Sequence, residues 1–86
     1  MPEISRFYGI IIYMYWTDHA PPHFHAEYGE YEAQFLISNF ALYKGNMPSK
    51  ALGLIIEWAS QHKEELLENW EYSQQVIPFK KIEPLK

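Results

Sequence analysis

Residues 23–37 read His23-Phe24-His25-Ala26-Glu27-Tyr28-Gly29-Glu30-Tyr31-Glu32-Ala33-Gln34-Phe35-Leu36-Ile37. Polar and apolar side chains alternate on both sides of Gly29-Glu30, the pattern of two half-buried strands joined by a two-residue turn. Glycine in first place suits a type II′ hairpin. On a period of two, Phe24, Ala26 and Tyr28 share one face of the first arm, and Ala33, Phe35 and Ile37 share one face of the second. Those faces are expected to meet the core. His23 and His25 then point the other way, with Glu27 next in their row.

Upstream, Ile4 to Tyr8 alternates before Gly9, and Ile10 to Trp16 is a β-branched and aromatic run with no polar residue. This predicts one strand with a bulge at Gly9, or two short strands. Thr17-Asp18-His19-Ala20-Pro21-Pro22 reads as a rigid loop, because two consecutive prolines cannot feed a ladder. Downstream, Phe40 to Lys44 is a further short strand that Gly45-Asn46 ends. Pro48 fits the first turn of a helix, and no proline follows until Pro78. Ala51, Leu52, Ile55, Trp58, Ala59, His62, Leu66 and Trp70 recur at helical steps and form one apolar stripe. The expected fold is α+β, a small antiparallel sheet of three to five strands packed against one long helix. The strands fall within about residues 3–44, the helix within about 48–74, and an extended tail within 76–86.

Eighty-six residues make one domain, 1–86, the expectation, since half of that length buries too little surface to fold alone. The absence of cysteine excludes disulfides, thiolate metal sites and cysteine nucleophiles. The apolar run from Phe7 to Trp16 is about half of the roughly 20 residues that a membrane span needs. Glu3 precedes that run and no small-residue cleavage site follows it, so the expected location is the cytoplasm, away from membranes. A net charge of −4 opposes phosphate overall, so RNA binding calls for a local cation. Aromatic residues are 17% of the chain, enough either to pack a dense small core or to anchor a partner.

Three of the four histidines fall within seven residues, His19, His23 and His25, with Asp18 beside them. The loop can fold Asp18 and His19 back toward the His23/His25 row. Two chemistries suit this cluster. Neutral imidazoles and a carboxylate bind a divalent transition metal such as Zn or Ni, with His23, His25 and His19 as the candidate ligands and Asp18 or Glu27 to complete the set. Alternatively, paired histidines act as general base and general acid on a phosphodiester, with His23, His25, His19 and Asp18 as the candidate catalytic residues. That second chemistry needs a cation from among Arg6, Lys44, Lys80 and Lys81, none of them near the cluster in sequence. A third reading leaves His23 and His25 as exposed polar residues and makes His19 and Asp18 a turn cap. Elsewhere, His62 is expected to be a core histidine bonded to the sheet. Tyr13 and Tyr15 are expected to pack. Glu57, Glu64, Glu65, Glu68 and Glu71 are expected to form a solvated helix face or to meet a basic partner, although glutamates late in one long helix oppose its dipole.

Several blocks together carry a resemblance: Met1-Pro2-Glu3-Ile4-Ser5-Arg6-Phe7-Tyr8-Gly9, Asp18-His19-Ala20-Pro21-Pro22-His23-Phe24-His25-Ala26, Glu57-Trp58-Ala59, Glu65-Leu66, Asn69-Trp70 and Lys80-Lys81-Ile82-Glu83-Pro84-Leu85. With these the chain resembles the bacterial family called domain of unknown function 4160. The Pro-Pro-His-x-His block is the most specific element. The resemblance implies a small stand-alone bacterial protein, often encoded beside another short protein in an arrangement like a toxin–antitoxin pair. It carries over no catalytic residue. The resulting expectation is a toxin–antitoxin-like component whose histidine site acts on RNA, partnered by the product of an adjacent gene. The alternative is a non-catalytic module that binds a divalent metal or another protein.

Overall fold

The structure is a computed structural model that describes residues 2–86. Five strands, β1 (Glu3–Phe7), β2 (Ile10–Tyr13), β3 (His23–Tyr28), β4 (Tyr31–Leu36) and β5 (Leu42–Gly45), form one antiparallel sheet in the order β1-β2-β3-β4-β5. Each strand pairs with its neighbour in sequence. Tyr28 faces Tyr31 across the central turn, where Gly29 adopts φ +59°, the positive φ that glycine in first place supplies. The run before the proline loop is two strands, with Phe7 opposite Ile10 around Tyr8-Gly9. Between β4 and β5 the backbones come so close that a Cβ on Gly45 would lie 2.2 Å from the Glu32 carbonyl oxygen, and φ there is +88°. Only glycine fits that position.

The helical half departs from the expectation of one helix over 48–74. Two helices form, α1 (Ser49–Gln61) and α2 (Lys63–Gln75), separated at His62, whose φ of −133° leaves the helical region. Neither proline nor glycine marks the break, and the apolar stripe keeps its helical period across it. The second helix has a start of its own: Leu66 N–H donates to the His62 carbonyl, and the His62 imidazole bonds Glu65 through Nδ1 at 2.6 Å. Glu64 and Glu65 thereby lie in a first turn, where a helix dipole favours carboxylates. Glu64 and Glu65, which oppose the dipole of one long helix, suit the start of the second of two, whereas Glu57, Glu68 and Glu71 lie past the first turns of their helices. His62 is also not a core histidine bonded to the sheet; it lies against Trp58 and bonds within its own turn.

The core lies between one sheet face and α1. Phe24, Ala26, Ala33, Phe35, Ile55, Trp58 and Leu66 are all buried, as the two periodicities require. Trp58 sits at the centre, with ring centroids 5.3 Å from Phe7 and 6.1 Å from Phe24. Its indole N–H donates to the Glu83 carbonyl at 2.7 Å. The tail lies extended along the body. Ile82 N–H donates to the Ile4 carbonyl at 2.8 Å, while the Asn69 amide both donates to the Lys80 carbonyl and accepts the Lys80 N–H, each at 2.9 Å. Asn69 is fully buried on α2 and offers the tail the pair of bonds that a neighbouring strand would. Among the described residues no helix is long and apolar enough to cross a membrane.

Two substitutions of opposite sign test this account. Asn69→Ala leaves both Lys80 backbone groups without their partner and is expected to cost about 2 kcal/mol. Thermal unfolding, with faster amide exchange at Lys80 and Ile82, checks it. Ser5 is buried and its Oγ is unpaired among the described residues. Ser5→Ala is therefore expected to leave stability unchanged or raise it by about 1 kcal/mol, read as the denaturant midpoint.

Candidate metal centre

The proline loop is fixed from below by α2 and the start of the tail. Thr17 N–H donates to the Ser73 carbonyl at 2.9 Å, the Gln74 amide donates to the Asp18 carbonyl at 3.2 Å, and the Trp16 indole donates to the Ile77 carbonyl at 2.8 Å. Trp16 also stacks on Phe79 with centroids 4.7 Å apart. These contacts hold Asp18 over the first residues of β3. Its Oδ1 accepts the His19 N–H at 2.9 Å, and its Oδ2 lies 3.0 Å from both His23 Nε2 and His25 Nε2. Asp18 thus caps a turn and reaches the imidazoles as well.

His23 and His25 stand on the sheet face opposite Phe24, as period-two alternation requires. They are not the exposed polar pair of the third reading: the His23 side chain is 4% exposed and that of His25 13%. His23 lies against Trp70 of α2, centroids 5.2 Å apart, and Tyr13 and Tyr15 pack on His25 at 5.1 and 5.0 Å. Tyr13 and Tyr15 are therefore packing residues that wall the cluster. Burial, followed by the neighbouring Tyr15, Glu32 and Glu27, pushes the Tyr13 phenol up to about 12, so it stays protonated. Among the described residues, Asp18, His23 and His25 each bring one ligand atom within 4.8 Å of the other two. His19 is exposed and contributes its backbone N–H in place of its ring.

The proton positions follow from the partners. The Pro21 carbonyl can only accept, so the 2.8 Å contact from His23 Nδ1 places a proton on Nδ1. In the neutral ring the Nε2 lone pair of His23 then faces the Asp18 carboxylate, two acceptors at 3.0 Å. A cation between them, a proton or a metal ion, turns that contact from repulsive to attractive. A backbone carbonyl on the remote nitrogen is also how metal-binding imidazoles are commonly oriented. His25 donates from Nε2 to the same carboxylate oxygen. Burial holds the His25 pKa below its ordinary value and outweighs the Asp18 bond, while His23 pushes in the same direction as burial. For Asp18, burial acts upward, but the His25 bond, the His19 amide and the two imidazoles together hold the carboxyl below its usual range.

Beside this face lies an open cleft of about 200 Å³ lined by Tyr13, His25, Glu32, Gln34 and Lys44. Lys44 is far from the histidines in sequence, yet the sheet brings it to them: His25 pairs with Gln34, and Gln34 with Lys44. The distant cation that sequence spacing leaves out is supplied by cross-strand register. Arg6 pairs instead with Glu3, and Lys80 with Glu68.

The family model for a domain of unknown function (DUF4160) matches residues 9–71, and the chain belongs to that family. The matched span includes Asp18, His19, His23 and His25. No curated protein and no solved structure matches the chain.

The depressed His25 pKa carries a pH dependence whose sign is fixed. The folded protein binds a proton at His25 less readily than the unfolded chain, so this contribution to stability is full above the unfolded value of about 6.5 and is lost as pH falls below it. In the presence of a chelator, wild type is expected to lose more stability between pH 7 and pH 5 than His25→Gln, as measured by urea unfolding. Equal slopes for the two proteins contradict the assignment.

Proposed function

We propose that the protein binds a divalent transition metal through Asp18 Oδ2, His23 Nε2 and His25 Nε2. The observation that carries this reading is the pair of His23 contacts: Nδ1 lies 2.8 Å from the Pro21 carbonyl, which can only accept, so in a neutral ring the Nε2 lone pair is directed at the Asp18 carboxylate 3.0 Å away. Two ligands bonded at about 2.1 Å and set at right angles lie about 3.0 Å apart, so the observed contacts need little change to accept an ion. Two imidazoles and one carboxylate on one side of a metal leave further positions open for exogenous oxygen donors. With its Nδ1 proton on the Pro21 carbonyl, a neutral His23 offers Nε2 to the ion, whereas a neutral His25 moves its proton from Nε2 to Nδ1 on loading, so the two neutral rings bind without net proton release.

Zn(II) or Ni(II) is expected to bind at one equivalent per chain, to raise the unfolding temperature and to leave as pH falls through the imidazole range. Calorimetry on Asp18→Asn, His23→Ala and His25→Ala is expected to show affinity lowered by about a hundredfold or more, while His19→Ala binds like wild type. Equal heats from wild type and His23→Ala contradict this reading.

A second reading, RNA cleavage by the paired histidines within a toxin–antitoxin-like component, has one observation in its favour: Lys44 lines the same cleft as His25. Against it, both Nε2 atoms point at a single Asp18 oxygen, and His23 is too buried to reach a polymer. Its test is separate. Expression without the adjacent-gene product is expected to slow growth, and purified protein is expected to cleave RNA with a bell-shaped pH profile that chelation does not alter. Absence of cleavage together with normal growth removes it.

A further inference from the structure

The cleft beside His25 and the ligand face at Asp18 share a single side chain, His25. Tyr13, His25, Gln34 and Lys44 are successive cross-strand neighbours from β2 to β5, so they project from the same side of the sheet. With neighbouring strands about 4.8 Å apart, Lys44 stands about 10 Å from His25 along this row, and Gln34 lies between them. The Gln34 amide and the Lys44 ammonium both offer N–H donors to the space. Among the described residues Lys44 makes no ion pair with a carboxylate, and its Nζ rests 5.5 Å from the Tyr43 ring centroid. A lysine on an exposed edge strand is also a common guard against edge pairing, but that role does not call for a cleft at its base.

We propose that this cleft binds a small oxyanion, a phosphate or a carboxylate, between the Lys44 ammonium and the metal face at His25. The inference rests on the metal reading, because a metal with three protein ligands keeps positions that oxygen donors fill. Lys44 adds a point charge at the other end of the row, and Gln34 adds a neutral donor between. A space of about 200 Å³ suits an ion of a few heavy atoms. Glu32 on the cleft wall and the chain's net charge of −4 oppose a polyanion, which separates this ligand class from RNA.

The test titrates inorganic phosphate and, separately, malonate into Co(II)-loaded protein, followed by the visible Co(II) spectrum and by amide shifts at Gln34 and Lys44. Saturable binding of either anion, with a changed Co(II) spectrum, is expected. Lys44→Gln is expected to weaken binding by about tenfold, and Lys44→Arg to retain it. Lys44 is exposed, so neither change threatens the fold. Binding of phosphate alone, or of malonate alone, assigns the ligand to that class. Binding of neither, or equal binding by Lys44→Gln, overturns the inference while leaving the metal reading intact. If Co(II) fails to load, the metal reading fails by itself, and the same shift titration on metal-free protein still decides whether the cleft takes an oxyanion. A single-stranded RNA oligonucleotide that binds through Lys44 more tightly than either small anion also overturns the small-ligand assignment.

Discussion

Strand β3 presents Phe24 to Trp58 and His25 to Asp18, and one backbone register serves both. A slip of a single residue turns two imidazoles into the apolar layer under α1 and puts a phenyl ring where the Asp18 carboxylate needs a polar partner. Register is therefore set by the core, and the polar face inherits it. Phe24 and Phe35 stack across β3 and β4 with centroids 5.4 Å apart, and their partners on the other face are fixed by the same pairing. The positions of His23, His25, Gln34 and Lys44 follow from burying aromatic rings on the opposite side.

The loop that carries Asp18 depends on a different part of the chain. Its backbone is held by Ser73 and Gln74 at the end of α2, and those residues are in place because the helix restarts at His62. Trp70 of that helix closes over His23 and excludes water from the ring. The cluster is thus local in its ligands and long-range in its support. Substitutions near Ser73 or Trp70 act on Asp18 and His23 without touching a ligand atom.

Much of this is legible in the sequence. Alternation in residues 23–37 carries the hairpin and the opposed faces of Phe24 and His25, and helical spacing carries the burial of Ile55, Trp58 and Leu66. The density of histidine beside Asp18 identifies the cluster. The helix break is not legible, because the period runs unbroken through His62 and no breaker residue marks it; the relevant signal is Glu64-Glu65, unfavourable late in one helix and favourable early in another. Buried Asn69 is hidden for a similar reason, since a polar residue on an apolar stripe reads as exposed until a backbone partner, here Lys80, arrives from elsewhere. His19 and Asp18 are adjacent candidate ligands in the sequence, and only the loop conformation sends one side chain inward and the other to solvent. Lys44 becomes a neighbour through register alone.

Asp18, His23 and His25 span only eight residues, and a double proline stiffens the connection. Closing so short a loop costs little chain entropy, so the unfolded polypeptide can also gather these three side chains part of the time. An ion that has some affinity for both forms stabilises the native one by only the difference. Tight capture of an ion at this centre and a modest gain in resistance to unfolding are therefore compatible, unlike at a centre whose ligands come from distant segments.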